Sequence, residues 1–261
     1  MTTGGSFMQN QQPSTLKEIR VHGTQDFPCA FYQTGTRIRG NMVKHHWHEE
    51  VELLYFSGGE FCLEINMERF EISEECFYFI NPGELHSISV EKNGGCVENA
   101  VVFHMDMLSS AYALDQIQTN LIQPVQNGSI QFPRCLRKNE PAFEPVRKSY
   151  EEIRNVFGGD SFRENYYDGE AVTDDITRQL FIKSALLRIL AVLSANNLFE
   201  VTEKNHDHRI ETIKTTLTYI QENYKEKIYI RDLAGLIGMN EQYFCRFFKK
   251  VIGRSPVEYV N

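Results

Sequence analysis

The chain carries two patterns of apolar residues, and the change between them falls near residue 108. Between Ile19 and Met107, short apolar and aromatic runs alternate with turn residues, which is typical of the strands of a sandwich or barrel. The runs predicted as strands are CAFYQT from Cys29, EVELLYF from Glu50, FCLEINM from Phe61, CFYFINP from Cys76 and NAVVFHM from Asn99. The turn signals are Ser57-Gly58-Gly59, Asn81-Pro82-Gly83 and Asn93-Gly94-Gly95.

After residue 108 the apolar spacing becomes helical. Helices are predicted over residues 139–157, 174–196 and 209–224. The apolar stripe of the helix at 174–196 is wider than a lone surface helix needs, so this helix either packs on the barrel or forms a dimer face. Residues 158–169 are rich in glycine and charge and are predicted to be a mobile loop, and residues 198–208 are predicted to be a short polar linker.

Residues 230–261 predict two short helices joined by a glycine turn. Gly238 tolerates the left-handed backbone that ends a helix, and Asn240 is a favourable N-cap for the helix that follows. The inward face of that second helix carries Phe244, Phe247, Phe248 and Val251. Its opposite face carries Gln242, Cys245, Arg246, Lys249 and Lys250. A helix pair with an exposed polar and basic face has the geometry that enters a major groove.

The pattern LAxxxGMxxxYFxRxFKKxxGxSPxxY, from Leu233 to Tyr259, resembles the first helix-turn-helix of the AraC/XylS family of transcription regulators. The resemblance implies that Gln242, Cys245 and Arg246 face bases. In that arrangement Arg246 pairs with a guanine and Gln242 reads an adenine. It also implies that Lys249 and Lys250 contact phosphates, which position the protein without specifying sequence.

The chain departs from this family pattern at two places. Tyr229 stands where the family usually has a Ser or Thr that caps the first helix, and a lost cap costs about 1 kcal/mol. The family has two such motifs joined by a long helix, and that helix would begin near Asn261. We therefore expect this sequence to hold only the first of the two DNA readers, with weak and mostly electrostatic affinity for DNA.

The net charge of −8 is unevenly distributed along the chain. Residues 209–261 carry a net charge of +3, whereas the first 208 residues carry −11. An acidic body with a basic end fits a sensor that carries a DNA reader, although +3 is also an ordinary surface charge. No apolar run approaches the ~18 residues that a membrane span needs. The six cysteines include no CxxC pair and no signal peptide precedes them, which favours reduced thiols in the cytoplasm.

A histidine cluster, HHWHEEVE at residues 45–52, is the second chemical signal. The spacing Gly40-x5-His46-x-His48-x3-Glu52-x6-Gly59 resembles the first motif of the cupin superfamily, which comprises small β-barrels that often hold a metal. On one strand, His46, His48 and Glu52 would share a face. Two histidines and a carboxylate suit iron, manganese or zinc.

The second cupin motif should supply another histidine, and the resemblance makes His86 the candidate. Here that motif opens with Cys76 in place of glycine, and His86 is displaced by one residue, which weakens the case for a metal. Three interpretations of the four residues stay open: they line a metal-free effector pocket, they bind a divalent metal, or they are structural hydrogen-bonding groups. The four residues are His46, His48, Glu52 and His86.

Together these features predict an α+β chain: an N-terminal cupin-like β-barrel followed by helices, then an all-α helix-turn-helix segment. The expected divisions are a disordered start at 1–17, a barrel sensor at 18–110, a helical and dimerising region at 111–197, a linker at 198–208 and a partial DNA-binding domain at 209–261. The predicted function is a cytoplasmic, ligand-responsive transcription regulator. It would bind double-stranded promoter DNA as a homodimer and respond to a sugar or other small carbon metabolite. The alternative is a metal-dependent cupin enzyme, such as a dioxygenase or isomerase.

Overall fold

The computed structural model of the chain describes residues 17–18, 20–36, 39–90, 92, 96–112, 114–158, 175–202, 208–252 and 254–260. The chain forms two compact units, Arg20–Asn205 and a second that contains residues 206–261. The expected disordered start, apart from Lys17, lies outside the described residues, as do residues 159–169 of the expected mobile loop.

Two large antiparallel sheets and a two-stranded sheet of Ile130–Gln131 and Glu200–Val201 lie in the larger unit. The strands of this unit are β1 (Cys29–Thr36), β2 (Gly40–His46), β3 (Val51–Phe56), β4 (Phe61–Ile65), β5 (Glu68–Ile72), β6 (Cys76–Ile80), β7 (His86–Val90), β8 (Cys96–Phe103), β9 (Ile130–Gln131), β10 (Cys135–Arg137) and β11 (Glu200–Val201). The first sheet has the order β1-β8-β3-β6-β10 and the second has the order β2-β7-β4-β5. Each of the five predicted strand runs overlaps an observed strand, and the strand expected to carry the histidines overlaps β2, whereas β5, β7, β9, β10 and β11 lie outside the predicted runs.

The five-stranded sheet is covered on both faces, which is why all six residues of β3 are buried. Successive strand residues point to opposite faces. Leu54 and Phe56 accordingly belong to the core between the two sheets, whereas Val51, Leu53 and Tyr55 belong to a core on the other face, which also contains residues from the helices. The even-numbered side of β3 therefore faces the barrel interior.

Helices cover the outer face of the five-stranded sheet. The helices of this unit are α1 (Gln123–Gln126), α2 (Phe143–Val156) and α3 (Ile176–Ala195). Ile182, Leu186 and Leu193 of α3 are buried in the same core as Tyr150 of α2. The predicted packing of the 174–196 helix on the barrel is therefore observed for one of its faces.

The expected linker at 198–208 begins as structured chain. Glu200 and Val201 form β11, which pairs with β9, and Leu198 and Phe199 pack against the helix-side core. The start of this segment is therefore not a free linker, because its apolar residues are used in packing. Residues 203–207 lie outside the described part of the chain.

The second unit is helical, and with the strand-rich first unit it confirms the predicted α+β class. Its helices are α4 (His208–Asn223), α5 (Ile230–Leu236), α6 (Glu241–Ile252) and α7 (Pro256–Val260). Gly238 has a φ of +65° in the turn between α5 and α6, the conformation that glycine adopts without a steric penalty. Tyr229 precedes α5 without a side-chain capping bond, as predicted. Instead, the Arg231 guanidinium lies over the Tyr229 ring, with its Cζ 4.8 Å from the ring centroid.

Asn240 should stabilise α6 measurably. Its Oδ1 accepts a hydrogen bond from the Tyr243 backbone N–H at 2.9 Å. We expect Asn240→Ala to lower the free energy of unfolding of this unit by about 1 kcal/mol, measured by hydrogen–deuterium exchange of the α6 amides. Asn240→Asp keeps the acceptor and should exchange like the wild type; equal acceleration in both variants would contradict a capping role.

Candidate functional site

The four predicted barrel residues come from three different strands and one corner. His46 ends β2, His48 lies in the corner that follows, Glu52 lies on β3, and His86 begins β7. The expectation that His46, His48 and Glu52 share one strand is wrong, because the chain bends at residues 49–50 and crosses from one sheet to the other. The four side chains nevertheless converge in the interior.

His86 joins this cluster despite its displaced position in the sequence. His46 and His86 are direct partners in the pairing of β2 with β7, and that pairing contains two register shifts between Asn41 and His46. Such irregularities insert extra residues into one strand and re-aim its side chains. The one-residue displacement of His86 therefore does not prevent it from facing His46, and their ring centroids lie 4.2 Å apart.

Glu52 is the centre of the cluster. Its Oε2 lies 3.2 Å from His48 Nε2 and 2.9 Å from His86 Nε2. Glu52, His48 and His86 are buried, and His46 is half-buried. One potential ligand atom from each of the four residues lies within 4.8 Å of all the others.

Each histidine of the cluster is oriented by a backbone carbonyl. The Nδ1 atoms of His46, His48 and His86 lie 2.9, 3.2 and 2.9 Å from the carbonyl oxygens of Lys44, Glu50 and Glu84, respectively. A carbonyl oxygen only accepts, so each Nδ1 carries the proton and each Nε2 of a neutral ring presents a lone pair. This is the tautomer that metal-binding histidines adopt.

The hydrogen-bond geometry leaves a place for positive charge. In the neutral rings of His48 and His86, the Nε2 lone pair faces the Glu52 carboxylate, and two acceptors do not form a hydrogen bond. Either the rings carry a second proton, or a cation lies between the nitrogens and the carboxylate. The four ligand atoms lie within 4.8 Å of one another, and atoms that share one ion at about 2.1 Å in tetrahedral geometry are about 3.4 Å apart, so a modest contraction of the cluster would bring them around one ion. The residues present fit a divalent metal.

The charge of Glu52 is set by its neighbours. Burial alone would raise the pKa of Glu52, but when the His48 and His86 rings carry their second proton, their hydrogen bonds and positive charges hold the pKa well below its ordinary range. The carboxyl is therefore ionised, as a metal ligand must be.

A partly buried ion pair supports the turn that carries His86. Arg134 donates from Nη2 to Glu84 Oε1 at 2.6 Å and from Nη1 to Glu84 Oε2 at 2.7 Å. Glu84 Oε2 also accepts from the Asn81 backbone N–H at 2.8 Å, and Gly83 between them adopts a φ of +78°. The Glu84 carbonyl that orients His86 is thus fixed by side-chain contacts beyond the cluster.

Sequence reasoning missed one neighbour of the cluster, His22. Its Nδ1 lies 2.8 Å from the Tyr32 hydroxyl, and its ring centroid lies 5.2 Å from that of His48. His22 belongs to no periodic pattern, so no sequence signal points to it. The sharp turn at the next residue, Gly23, brings His22 to this position. Only glycine fits there, because a Cβ would lie 2.4 Å from the Cys29 carbonyl oxygen.

The predicted DNA-facing side chains lie on one side of α6. Phe244, Phe247, Phe248 and Val251 are buried. Gln242, Arg246, Lys249 and Lys250 are exposed, and Cys245 is half-buried. Burial of one complete face leaves the polar and basic face open to a groove. No helix in the described residues is long and apolar enough to cross a membrane.

Two family descriptions match the chain. An AraC-like ligand binding domain matches residues 31–154, and the bacterial regulatory helix-turn-helix proteins of the AraC family match residues 220–261. The first segment contains the histidine cluster and the second contains α6. Together they account for more than half of the chain.

The chain is also similar to a curated protein and to several solved structures. The chain is 26% identical over 253 residues to the uncharacterized HTH-type transcriptional regulator YdeC of Bacillus subtilis, covering 94% of this chain and 78% of that one. It is 13% identical to unsaturated fatty acid-bound ToxT from Vibrio cholerae, with a TM-score of 0.33 and 91% and 96% of the two chains covered. A predicted oxalate decarboxylase from Thermotoga maritima is 25% identical, with a TM-score of 0.27; that match covers 28% of this chain and 64% of that one. TM-scores this low carry no structural argument.

Proposed function

Because the chain belongs to the AraC family of transcriptional regulators, we propose that the exposed face of α6 reads promoter DNA and that the barrel binds a small carbon metabolite, such as a sugar. Sensing is assigned to Arg20–Asn205 and DNA reading to the unit of residues 206–261. The observation that supports this assignment is that one chain has both a polar cluster inside the barrel and, in the other unit, a helix with one exposed basic face.

The chain is a regulator and not an enzyme. The matched helix-turn-helix family and the similarity to a transcriptional regulator set aside the alternative of a cupin dioxygenase or isomerase. A buried site with ordered histidines then serves recognition. Effector binding changes DNA affinity only if the effector binds two arrangements of the protein with different affinity.

DNA reading is assigned within α6 by side-chain chemistry. Arg246 and Gln242 lie in the first half of the helix and carry the planar groups that pair with guanine and adenine edges. Lys249 and Lys250 lie in the last turn, where a point charge on a flexible stem suits phosphate. Cys245, half-buried between these groups, is assigned to packing against a base edge.

Arg246→Ala and Lys250→Ala should separate specificity from affinity. We expect Arg246→Ala to cost about 1–3 kcal/mol and to relax preference at one base, and Lys250→Ala to weaken binding to all sequences and lower the salt slope by about 1. Fluorescence anisotropy on the upstream promoter duplex and single-base variants, at several salt concentrations, measures both.

The matched control is Lys148→Ala, an exposed lysine on α2 in the other unit, which should leave binding unchanged. Equal loss of base discrimination from Arg246→Ala and Lys250→Ala would show that the groove-facing side is assigned wrongly. Absence of any salt-sensitive binding by the wild type would contradict the proposed function itself.

We assign His46, His48, Glu52 and His86 to effector binding through a divalent metal. The support is the fixed tautomer of the three rings and the ionised carboxylate between two of them. Three imidazoles and a carboxylate suit iron, manganese or zinc. A bound ion would supply a Lewis-acidic point at which an oxygen atom of the effector docks.

Metal content tests this assignment. We expect wild-type protein reconstituted with zinc, manganese or anaerobic iron to retain one equivalent after dialysis, and His48→Ala or His86→Ala to bind the ion at least about tenfold more weakly. Mass spectrometry of the dialysed protein gives the stoichiometry. His104→Ala, at a half-exposed histidine outside the cluster, is the control. A wild type that retains no ion would leave the cluster as the lining of a metal-free pocket.

A homodimer through α3 is proposed from its second apolar face. Ile182, Leu186 and Leu193 are buried against the barrel unit, yet Leu180 and Leu187 are 62% and 42% exposed. A helix that is apolar on both sides is normally covered on both. Ser184 and Ala191 lie on the exposed side at three- and four-residue spacings from the leucines, and small side chains there permit close approach of a second helix.

Charge on this face should break the dimer. We expect the wild type to have twice the chain mass of 30.3 kDa in light scattering, and Leu180→Glu/Leu187→Glu to be monomeric, because two carboxylates would be buried unpaired. Val201→Glu, at a residue that is 84% exposed and lies outside α3, should remain dimeric. A monomeric wild type would contradict the proposal.

The proposed location is the cytoplasm, where a bacterial DNA reader meets its promoter.

A further inference from the structure

Two polar side chains lie in the barrel interior away from the histidine cluster. Glu98 of β8 and Thr34 of β1 are direct partners across the strands, and Phe56 of β3 lies opposite Glu98 on its other side. Ala100 and Val102 of β8 belong to the core between the sheets. Because alternate residues of a strand share a face, Glu98 faces the same interior, and its partner Thr34 does so too.

Both side chains are buried, and each has an oxygen atom without a hydrogen-bond partner. Glu98 is 2% exposed and Thr34 is 6% exposed. In the part of the chain that the structure describes, Glu98 Oε1 and Thr34 Oγ1 have no hydrogen-bond partner. Native proteins rarely bury polar groups in this way, because each such group loses its bonds to water without replacement. Leucine and valine would fill these positions at lower cost if their role were only to pack.

The surroundings define the kind of group that these side chains can bind. Burial, and next the charge of Glu52, raise the pKa of Glu98 well above its ordinary value. A neutral carboxyl donates one hydrogen bond and accepts others, and a threonine hydroxyl does the same. This pair therefore matches hydroxyl groups better than an ammonium or a second carboxylate.

We propose that Glu98 and Thr34 form a second subsite of the effector chamber, which hydrogen-bonds the hydroxyl groups of a neutral polyhydroxylated effector of the sugar class. The inference rests on the proposed function of the barrel as the effector-binding unit. Glu52 pairs with Val102, four residues along β8 from Glu98, a backbone separation of about 13 Å. One end of the effector is held by the histidine cluster and the other by this pair.

Replacing Glu98 with leucine tests the subsite, because the variant should lose ligand binding and gain stability. Thermal unfolding of the full chain is followed with and without neutral probes (arabinose, xylose, glucose, maltose and myo-inositol), and with amines and carboxylates of similar size. We expect at least one neutral probe to raise the unfolding midpoint. Glu98→Leu should abolish that shift and raise the midpoint of the ligand-free protein by about 2–4 °C, because an unpaired buried carboxyl is removed.

Graded variants separate hydrogen bonding from packing. Glu98→Gln keeps neutral donors and an acceptor and should retain the ligand shift, and Thr34→Val should weaken the effective probe about tenfold. The control is Gln33→Ala, at the neighbouring residue of β1, whose side chain bonds Asn99 on the opposite face; its probe affinity should match the wild type.

Three outcomes overturn the inference: a lower ligand-free midpoint in Glu98→Leu, an undiminished ligand shift in that variant, or stabilisation by amines or carboxylates alone. DNA binding is measured on the same preparations. A failed sugar response with intact promoter binding rejects this subsite and leaves the regulator assignment standing, whereas loss of promoter binding in the wild type rejects that assignment.

Discussion

The packing of the two sheets against each other brings the Glu52 carboxylate to the imidazoles of the facing sheet. Glu52 projects from the five-stranded sheet, and His46 and His86 project from the four-stranded one. A buried carboxylate would be costly alone, but two histidines lie within 3.2 Å of it. His86 of the four-stranded sheet and His48 of the corner after β2 supply these contacts, so the charge is buried beside polar partners.

The backbone fixes this arrangement before any ligand arrives. Three carbonyl oxygens each hold one ring nitrogen, so the opposite nitrogens point to a common centre without further ordering. The Arg134–Glu84 pair then fixes one of those carbonyls from outside the cluster. Because the rings are already oriented, little conformational entropy is lost when a ligand binds, which is the physical basis of preorganisation.

The sequence predicts the parts of this site better than their assembly. Strands with buried faces, such as β3 and β6, were predicted because apolar residues mark them. The apolar pattern did not predict the edge strand β2, since Gly40, Asn41 and the histidines make it polar and half-exposed, and only the cupin resemblance placed His46 on a strand. His86 is displaced by one residue from the cupin pattern, but it still pairs with His46 across β2 and β7. His22 was missed because its proximity to His48 depends on the turn at Gly23 and on contacts between residues distant in sequence, and not on an apolar pattern.

The two carboxyl groups of the interior are electrostatically coupled although they differ in charge. Histidines keep Glu52 ionised, while burial and the charge of Glu52 favour the neutral form of Glu98. A cation bound at Glu52 would offset part of that charge and so reduce the rise in the pKa of Glu98. Occupancy of one end of the chamber and protonation at the other are therefore thermodynamically linked, and by reciprocity a ligand that needs neutral Glu98 would weaken cation binding. Under the proposed binding at both ends, an effector must bring enough affinity to overcome this opposition, so the proposal implies selection by effector length and charge.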